Sequence, residues 1–201
     1  MNKQTKLGMS TEQDHEFELS YWGDCCNTFD EEQKQLVYSR FLGLKRNHYS
    51  FDVENKSVLD IGGGPVSLLL KAINLKKGKV VDPLPYPKWT VDRYASKNIE
   101  YWQLKGEEIV ETGWDEVWIY NCLQHVENPA LIIDNALKAG KVLRIFEWID
   151  IPPHPGHPHE LTQFNLDYWL STKGDVVTLA EGGCYGRAYY AVRTSPYAID
   201  H

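Results

Sequence analysis

The hydrophobic residues of this chain fall into short apolar runs that alternate with segments of helical spacing. Apolar runs bounded by Gly, Pro and charged residues are typical of strands buried in a sheet. They predict strands at 57–61, 79–81, 99–104, 115–120 and 141–149. Apolar positions repeated every three or four residues predict helices at 28–44, 66–75, 89–96, 129–137 and 161–171. This alternation indicates a parallel sheet whose strands are connected by helices.

Two further β-rich runs close the chain, at 175–179 and 187–193, and the turn between them contains Gly182 and Gly183. Neighbouring runs joined in this way form an antiparallel hairpin. The predicted fold is therefore an α/β, doubly wound, mostly parallel seven-stranded sheet with a C-terminal antiparallel hairpin, in a three-layer sandwich. In such sheets the ligand lies outside the carboxyl ends of the strands, where the strand order reverses.

The chain length predicts a single core. Its 201 residues are enough for one α/β domain and too few for two domains of ordinary size. We expect residues 1–50 to form a helical extension or lid, and residues 51–201 to form the sheet domain that carries the site.

The turn after the first sheet strand carries the strongest functional signal. Residues 58–64 read Val-Leu-Asp-Ile-Gly-Gly-Gly, and Pro65 suits the first turn of a following helix. Glycines there allow positive φ and let a ligand approach bare backbone amides. Asp60 would face like charge in a pyrophosphate, and Ser67 stands where a dinucleotide-binding loop has its third glycine. The turn therefore favours a nucleoside-like, partly cationic ligand over NAD or ATP.

Composition narrows the class of partner. A net charge of −7 and a pI of about 5.5 argue against non-specific binding to nucleic acid, which depends on lysines and arginines that neutralise phosphates. The first sixteen residues are polar and no long apolar run is present, so we expect no membrane span, no secretion signal and a cytoplasmic protein. The four cysteines match no disulfide framework or C-x-x-C pair, so we expect reduced thiols. The oligomeric state is left open.

The order of the motifs resembles that of the class I S-adenosylmethionine-dependent methyltransferases, over roughly residues 50–195. An acidic residue with a glycine turn stands at 60–64, and Asp82 ends the second strand. Residues 114–129 resemble the family's fourth strand and the histidine-containing turn after it. The resemblance implies a Rossmann-like domain that uses S-adenosylmethionine. The run Gly-Gly-Gly-Pro departs from the family's more frequent Gly-x-Gly followed by a small residue.

The same resemblance implies which residues bind the cofactor. Asp82 matches the acid that bonds the ribose hydroxyls, and Gly106 with Glu107 matches the loop that holds the adenine edge. Either Leu84 or Tyr86 is left to supply an apolar platform for the adenine. The predicted cofactor-binding residues are Asp60, Gly62, Gly63, Gly64, Asp82, Pro83, Leu84, Gly106, Glu107, Asn121, Cys122 and Arg40, the last on the helix before the sheet.

The residue after the fourth strand, His125, is the candidate catalytic side chain. A side chain at this point would face the transferred methyl group, and an imidazole titrates near neutrality, as a general base should. The alternative is a histidine that caps the turn, because methyl transfer from a sulfonium chiefly needs alignment and desolvation. We expect Tyr21 and Trp22 to form a movable cover for the substrate; their alternative role is to shield the sheet edge.

A loop rich in histidine and proline follows the fifth strand. His154, His157 and His159 stand at the ligand-bearing edge of the sheet, and we predict that they contact the substrate. Their spacing matches no H-E-x-x-H or zinc-finger pattern, so we expect no metal site.

The sequence as a whole predicts a methyltransferase whose acceptor is a small molecule or a protein side chain. A catalytically silent cofactor-binding module is the second hypothesis. A nicotinamide-dependent oxidoreductase is disfavoured by Asp60 and by the missing third glycine.

Overall fold

A computed structural model describes residues 11–198 of the chain. Within that range the helices are α1 (Thr11–Trp22), α2 (Phe29–Phe41), α3 (Lys88–Ala95), α4 (Pro129–Ala139) and α5 (Gln163–Leu170). The strands are β1 (Lys45–Asn47), β2 (Ser50–Asp52), β3 (Ser57–Ile61), β4 (Ala72–Ile73), β5 (Lys77–Asp82), β6 (Ile99–Gln103), β7 (Trp114–Tyr120), β8 (Gly140–Trp148), β9 (Asp175–Glu181) and β10 (Cys184–Thr194).

Seven of these strands form one sheet, in the order β6-β5-β3-β7-β8-β10-β9. The first five in this order run parallel, and β10 is antiparallel to both β8 and β9. Along the chain, β5 and β6 follow β3 on one side of the sheet, and β7, β8 and the C-terminal hairpin follow on the other side. The predicted doubly wound, mixed sheet is confirmed, and its strand order reverses between β3 and β7, where such sheets bind ligands.

Helices cover both faces of this sheet, which confirms the predicted three layers. Along β7, Val117 and Ile119 enter the hydrophobic core shared with α4 and α5, while Trp118 and Tyr120 enter the core shared with α2 and α3. Successive residues of a strand point to opposite faces, so a strand buried on both faces must be apolar throughout. This is why the central strands appear as unbroken hydrophobic runs.

The predicted helix at 66–75 is wrong. Only Leu68–Lys71 forms a short 3₁₀ turn, and the hydroxyl of Ser67 caps it by accepting the amide of Leu69 at 2.9 Å. Ala72–Ile73 (β4) then pairs in parallel with β2. The short turn already buries Leu68 and Leu69, and β2 satisfies the backbone that follows. These two leucines are therefore buried without a longer helix.

The sequence predicted the N-terminal part of the chain only in part. Helix α2 confirms the helix expected at 28–44. Helix α1 lies within the helical extension expected over 1–50, but its bounds were not predicted, and neither was the small sheet β1-β2-β4. Pairing of β1 with β2 crosses the proposed boundary between 1–50 and 51–201, because Lys45 pairs with Asp52 and Arg46 with Phe51. That division stays a prediction. Residues 1–10 of the predicted extension and residues 199–201 lie outside the described residues. Among helices of residues 11–198, none combines the length and the apolarity that crossing a bilayer requires.

Candidate active site

A cavity of about 560 Å³ lies where β3, β5 and β7 end, at the reversal of the strand order. The turns after these strands contribute Gly62, Asp82 and Asn121 to its wall. Helix α1 lies over the opening and lines it with Phe17, Glu18, Tyr21 and Trp22. The structure therefore brings the predicted cover and the predicted cofactor turn to one cavity.

The glycine turn after β3 packs tightly against the turn after β7. Gly62 has φ +74°, and a Cβ placed on it would lie 2.2 Å from Sγ of Cys122. Gly64 has φ +62° and lines the cavity, whereas Gly63 does not. A Cβ on Gly63 would instead meet the carboxylate of Asp60 at 2.7 Å. Gly62 and Gly64 need glycine because their φ is positive. Gly62 and Gly63 need it because a Cβ would clash with a neighbouring side chain.

Asp60 lies beneath this turn and not in the cavity, which corrects its prediction as a cofactor contact. Its side chain is fully buried, and its Oδ2 accepts hydrogen bonds from the hydroxyls of Ser67 and Tyr120. Burial raises the pKa of Asp60 to about 7, although both hydroxyls oppose that rise. Asp60 therefore joins Ser67, which follows the glycine turn, to Tyr120 at the end of β7.

Asp82 does face the cavity, as predicted. Its Oδ1 accepts the amide of Leu84 at 3.0 Å, and its Oδ2 accepts the amide of Gly64 at 3.1 Å. One carboxylate thus joins the turn after β5 to the glycine turn after β3. Burial raises the pKa of Asp82 to about 6, against the lowering effect of the two amides. Pro83, Leu84 and Tyr86 line the adjoining wall, so both candidates for an adenine platform are present.

Gly106 and Glu107 also line the cavity, as predicted for the loop after the third strand of the sheet. Oε1 of Glu107 accepts the amides of Glu127 at 3.1 Å and Asn128 at 3.0 Å. A Cβ on Gly106 would lie 2.8 Å from Cδ1 of Ile132, so only glycine brings this loop so close to α4. Glu107 therefore fixes the loop against the start of α4.

The turn after β7 is held by a carboxylate that the sequence analysis missed. Glu147 of β8 is fully buried, and its Oε1 accepts the amides of Cys122 at 3.0 Å and Leu123 at 3.1 Å. Burial raises the pKa of Glu147 to about 7. Asn121 and Cys122 line the cavity from this turn, as predicted. A charged residue inside an apolar strand was the signal for Glu147.

His125 lies in the cavity wall and contacts the loop after β8 and helix α1. Its Nδ1 is 2.7 Å from the carbonyl oxygen of Gly156 and 3.2 Å from Oε1 of Glu18. Since both oxygens only accept, Nδ1 carries a proton. Nε2 then has the lone pair of the neutral ring and lies 3.5 Å from Nε2 of Gln124. Burial lowers the pKa of His125, but the hydrogen bond and charge of Glu18 outweigh it, and the net shift is upward.

His157 joins His125 in the cavity wall. The two rings are nearly perpendicular, with centroids 4.4 Å apart. Burial and the neighbouring His125 lower the pKa of His157 to about 4, so it is neutral at physiological pH. His154 is exposed and His159 contacts the carbonyl oxygen of Val126 at 2.7 Å; neither lines the cavity. Of the three loop histidines, His157 is the one placed to contact a substrate.

Arg40 does not reach the cavity, contrary to its prediction as a cofactor contact. It forms an ion pair with Glu181 of β9. Helix α2 contributes a different cation, Lys34, which lines the cavity and lies 3.5 Å from Glu31. The same helix thus presents a lysine to the cavity nearly two turns before Arg40.

Comparison with solved structures shows the class I methyltransferase fold. The N-methyltransferase NodS from Bradyrhizobium japonicum, solved with S-adenosylhomocysteine, matches with a TM-score of 0.63 at 16% identity, over 94% of this chain and 100% of that one. The 1,6-didemethyltoxoflavin-N1-methyltransferase of Burkholderia thailandensis matches with a TM-score of 0.60 at 15% identity, over 90% and 87% of the two chains.

A third match comes from an archaeon. It is the complex of a Haloferax volcanii Trm112 methyltransferase activator with a putative methyltransferase, with a TM-score of 0.63 at 11% identity, over 89% of this chain and 98% of that chain. Two other matched structures are covered less fully: this chain spans 64% of the length of the YcgJ protein and 60% of the length of the mitomycin 7-O-methyltransferase MmcR. No protein-family model and no curated protein matches the sequence.

Proposed function

We propose that the protein is an S-adenosylmethionine-dependent methyltransferase that acts on a small molecule or a protein side chain. The observation that carries the proposal is Asp82, a buried carboxylate that faces the cavity at the switch point of a methyltransferase fold. Each oxygen of Asp82 accepts one backbone amide, and the Tyr86 hydroxyl also hydrogen-bonds to this carboxylate. A carboxylate has about four acceptor positions, so one position stays open to a ribose hydroxyl, and displacement of the Tyr86 hydroxyl would open a second. In this proposal α1 acts as the lid, and residues 51–201 bind the nucleoside part of the cofactor.

The charge of the cavity wall supports a cationic nucleoside. The acidic side chains in its lining are Glu18, Glu31, Asp82, Glu107 and Glu127, and the basic ones are Lys34 and Lys105. Five carboxylates against two lysines favour a ligand that carries a sulfonium and an ammonium. They oppose the pyrophosphate of NAD and the triphosphate of ATP.

Lys34 takes the place that the sequence analysis gave to Arg40. It is the cation that α2 presents to the cavity, and a bound methionine moiety would bring a carboxylate there. Glu31 beside it offers an acceptor for the ammonium group of the same moiety. The pair Glu31 and Lys34 therefore matches both charges of an amino-acid end group.

Where the methyl group is transferred, His125 acts as the base for the acceptor. S-Adenosylmethionine would supply a methyl group already activated by its sulfonium. The lone pair of the acceptor forms the new bond to the methyl carbon, and the electron pair of the broken C–S bond stays on sulfur. The acceptor's proton passes to the lone pair of His125, whose other nitrogen is held by Gly156 and Glu18.

Incubation of the full chain with S-adenosylmethionine labelled in the methyl group and a pool of metabolites tests the proposal. We expect labelled product that is lost in His125→Ala and reduced in His157→Ala, while the affinity for S-adenosylhomocysteine stays nearly unchanged. Cofactor binding without any turnover would favour the silent binding module instead. If cofactor affinity falls together with turnover in both variants, these histidines support the fold and the acceptor site is misplaced.

A further inference from the structure

Three potential metal ligands from separate parts of the chain meet in the cavity wall. They are Glu18 of α1, His125 after β7 and His157 in the loop after β8, and all three line the cavity. One ligand atom from each lies within 4.8 Å of the other two. Among the described residues 11–198, this is the group of histidine, cysteine and acidic side chains with such a spacing.

The surroundings of the two imidazoles differ, and each places a ring nitrogen within reach of an ion. Nδ1 of His125 donates to the carbonyl oxygen of Gly156 at 2.7 Å and lies 3.2 Å from Oε1 of Glu18, so an ion held between Glu18 and His125 would replace the proton on Nδ1. Nδ1 of His157 is buried and has no hydrogen-bond partner among the described residues. A buried nitrogen without a partner is costly unless it meets a ligand.

We propose that Glu18, His125 and His157 bind a divalent transition-metal ion of the zinc class. Two imidazoles and one carboxylate form a ligand set that catalytic zinc sites use, with a position left open to the cavity. Ligand atoms about 2.0–2.1 Å from zinc lie roughly 3–3.5 Å from one another. The observed 4.8 Å limit therefore requires only side-chain rotation to close the site.

This site revises the expectation drawn from the histidine loop. The spacing of His154, His157 and His159 could show only ligands that are close in sequence, whereas Glu18 and His125 come from other elements. Because one ligand belongs to α1, a bound ion would also fasten the lid over the cavity. The site stands on its own geometry, and its effect on the acceptor rests on the proposed function.

The ion would change the part that His125 takes in the reaction. In the metal-free protein His125 is a base for the acceptor. With an ion bound, His125 would be a ligand, and the ion would lower the pKa of an acceptor hydroxyl or amine placed on its open position, so that the acceptor would lose its proton to solvent before methyl transfer.

Titration of the full-length, tag-free protein with Co²⁺ after chelator treatment tests the site, because Co²⁺ bound by nitrogen and oxygen ligands absorbs visible light. We expect absorption that saturates at one ion per chain and is displaced by Zn²⁺. The affinity for Co²⁺ should fall at least about 100-fold in His125→Ala, His157→Ala and Glu18→Gln. That is more than the loss of a residue that only hydrogen-bonds to a metal ligand usually causes. The control is His48→Asn, which removes an exposed imidazole from the β1–β2 turn. Asparagine tolerates the φ of +54° at this position, so this variant should bind Co²⁺ like the wild type.

S-Adenosylhomocysteine binding by calorimetry on the same preparations separates the two proposals. A variant that loses Co²⁺ but still binds S-adenosylhomocysteine is folded and confirms the site. Failure of the wild type to bind one Co²⁺ or Zn²⁺, or equal binding by the three variants, overturns the site even if the cofactor binds. If the wild type binds the metal but not S-adenosylhomocysteine, the metal site is confirmed and the proposed function is wrong.

Discussion

Three buried carboxylates hold the turns that surround the cavity. Asp60 accepts two side-chain hydroxyls, while Asp82 and Glu147 accept backbone amides from the turns themselves. Burial raises the pKa of Asp60 and Glu147 to about 7 and that of Asp82 to about 6. The motif pointed to Asp60 and Asp82 but not to their different roles, because the side chain's direction depends on packing that a motif does not encode.

The raised pKa of Asp60 predicts how stability depends on pH. Between the ordinary value of 3.8 and the folded value of about 7, the native state holds more protons than the unfolded state, so the free energy of unfolding falls as pH rises. Asp60→Asn removes this titration and keeps an oxygen for Ser67 and Tyr120. The difference in unfolding free energy, wild type minus variant, should therefore drop by up to a few kcal/mol across this window and be flat on either side.

Urea unfolding at a series of pH values measures that difference. A difference that rises with pH, or that does not change, would show that Asp60 is not held in a site that disfavours its charge.

Lys34 provides a second prediction at the residue scale. Lys34→Met should weaken S-adenosylhomocysteine binding by about 1.5–3 kcal/mol, the contribution of a hydrogen bond to a charged group. Binding of 5′-methylthioadenosine, which lacks the amino-acid end, should not change. Arg40→Met, on the same helix but paired with Glu181 outside the cavity, is the matched control. Calorimetry with both ligands decides, and equal weakening of the two would place Lys34 elsewhere in the site.

Helix α1 is the element that the sequence did not reveal. It has no clear apolar face, and polar residues surround Phe17 and Leu19, so periodicity gave no signal. What fixes the helix is contact with the histidine loop. Asp14 is buried and its Oδ1 accepts the amide of Gly156 at 3.1 Å, and a Cβ on Gly156 would lie 2.6 Å from the ring of Phe17.

Loss of the bond from Gly156 should loosen this lid. Asp14→Ala leaves a buried amide without an acceptor, which costs about 1–3 kcal/mol, or roughly 5- to 150-fold in local opening. We expect faster amide hydrogen exchange in α1 by about that factor, with the strands of the central sheet unchanged. Glu12→Ala, at an exposed position of the same helix, is the control. If α1 exchanges as slowly in Asp14→Ala as in Glu12→Ala, the bond does not hold the lid.

At the scale of the whole molecule, strand order decides what lies together. Alternating strands and helices were enough to predict the sheet, its C-terminal hairpin and the position of the cavity at the reversal between β3 and β7. They could not predict that Glu18 lines the cavity, that the segment 66–75 is not a helix, or that α2 presents Lys34 to the cavity in place of Arg40. Those features depend on contacts between residues far apart in sequence, for which local pattern carries no information.

Isothermal titration of the full chain with S-adenosylhomocysteine, NAD and ATP tests the central claim, that the switch-point cavity binds the cofactor of a methyltransferase through Asp82. We predict that S-adenosylhomocysteine binds in preference to both nucleotides, and that Asp82→Ala weakens it by about 1–3 kcal/mol, the scale of a lost charge-assisted hydrogen bond. Equal or tighter binding of NAD, or unchanged S-adenosylhomocysteine binding in folded Asp82→Ala, would contradict it.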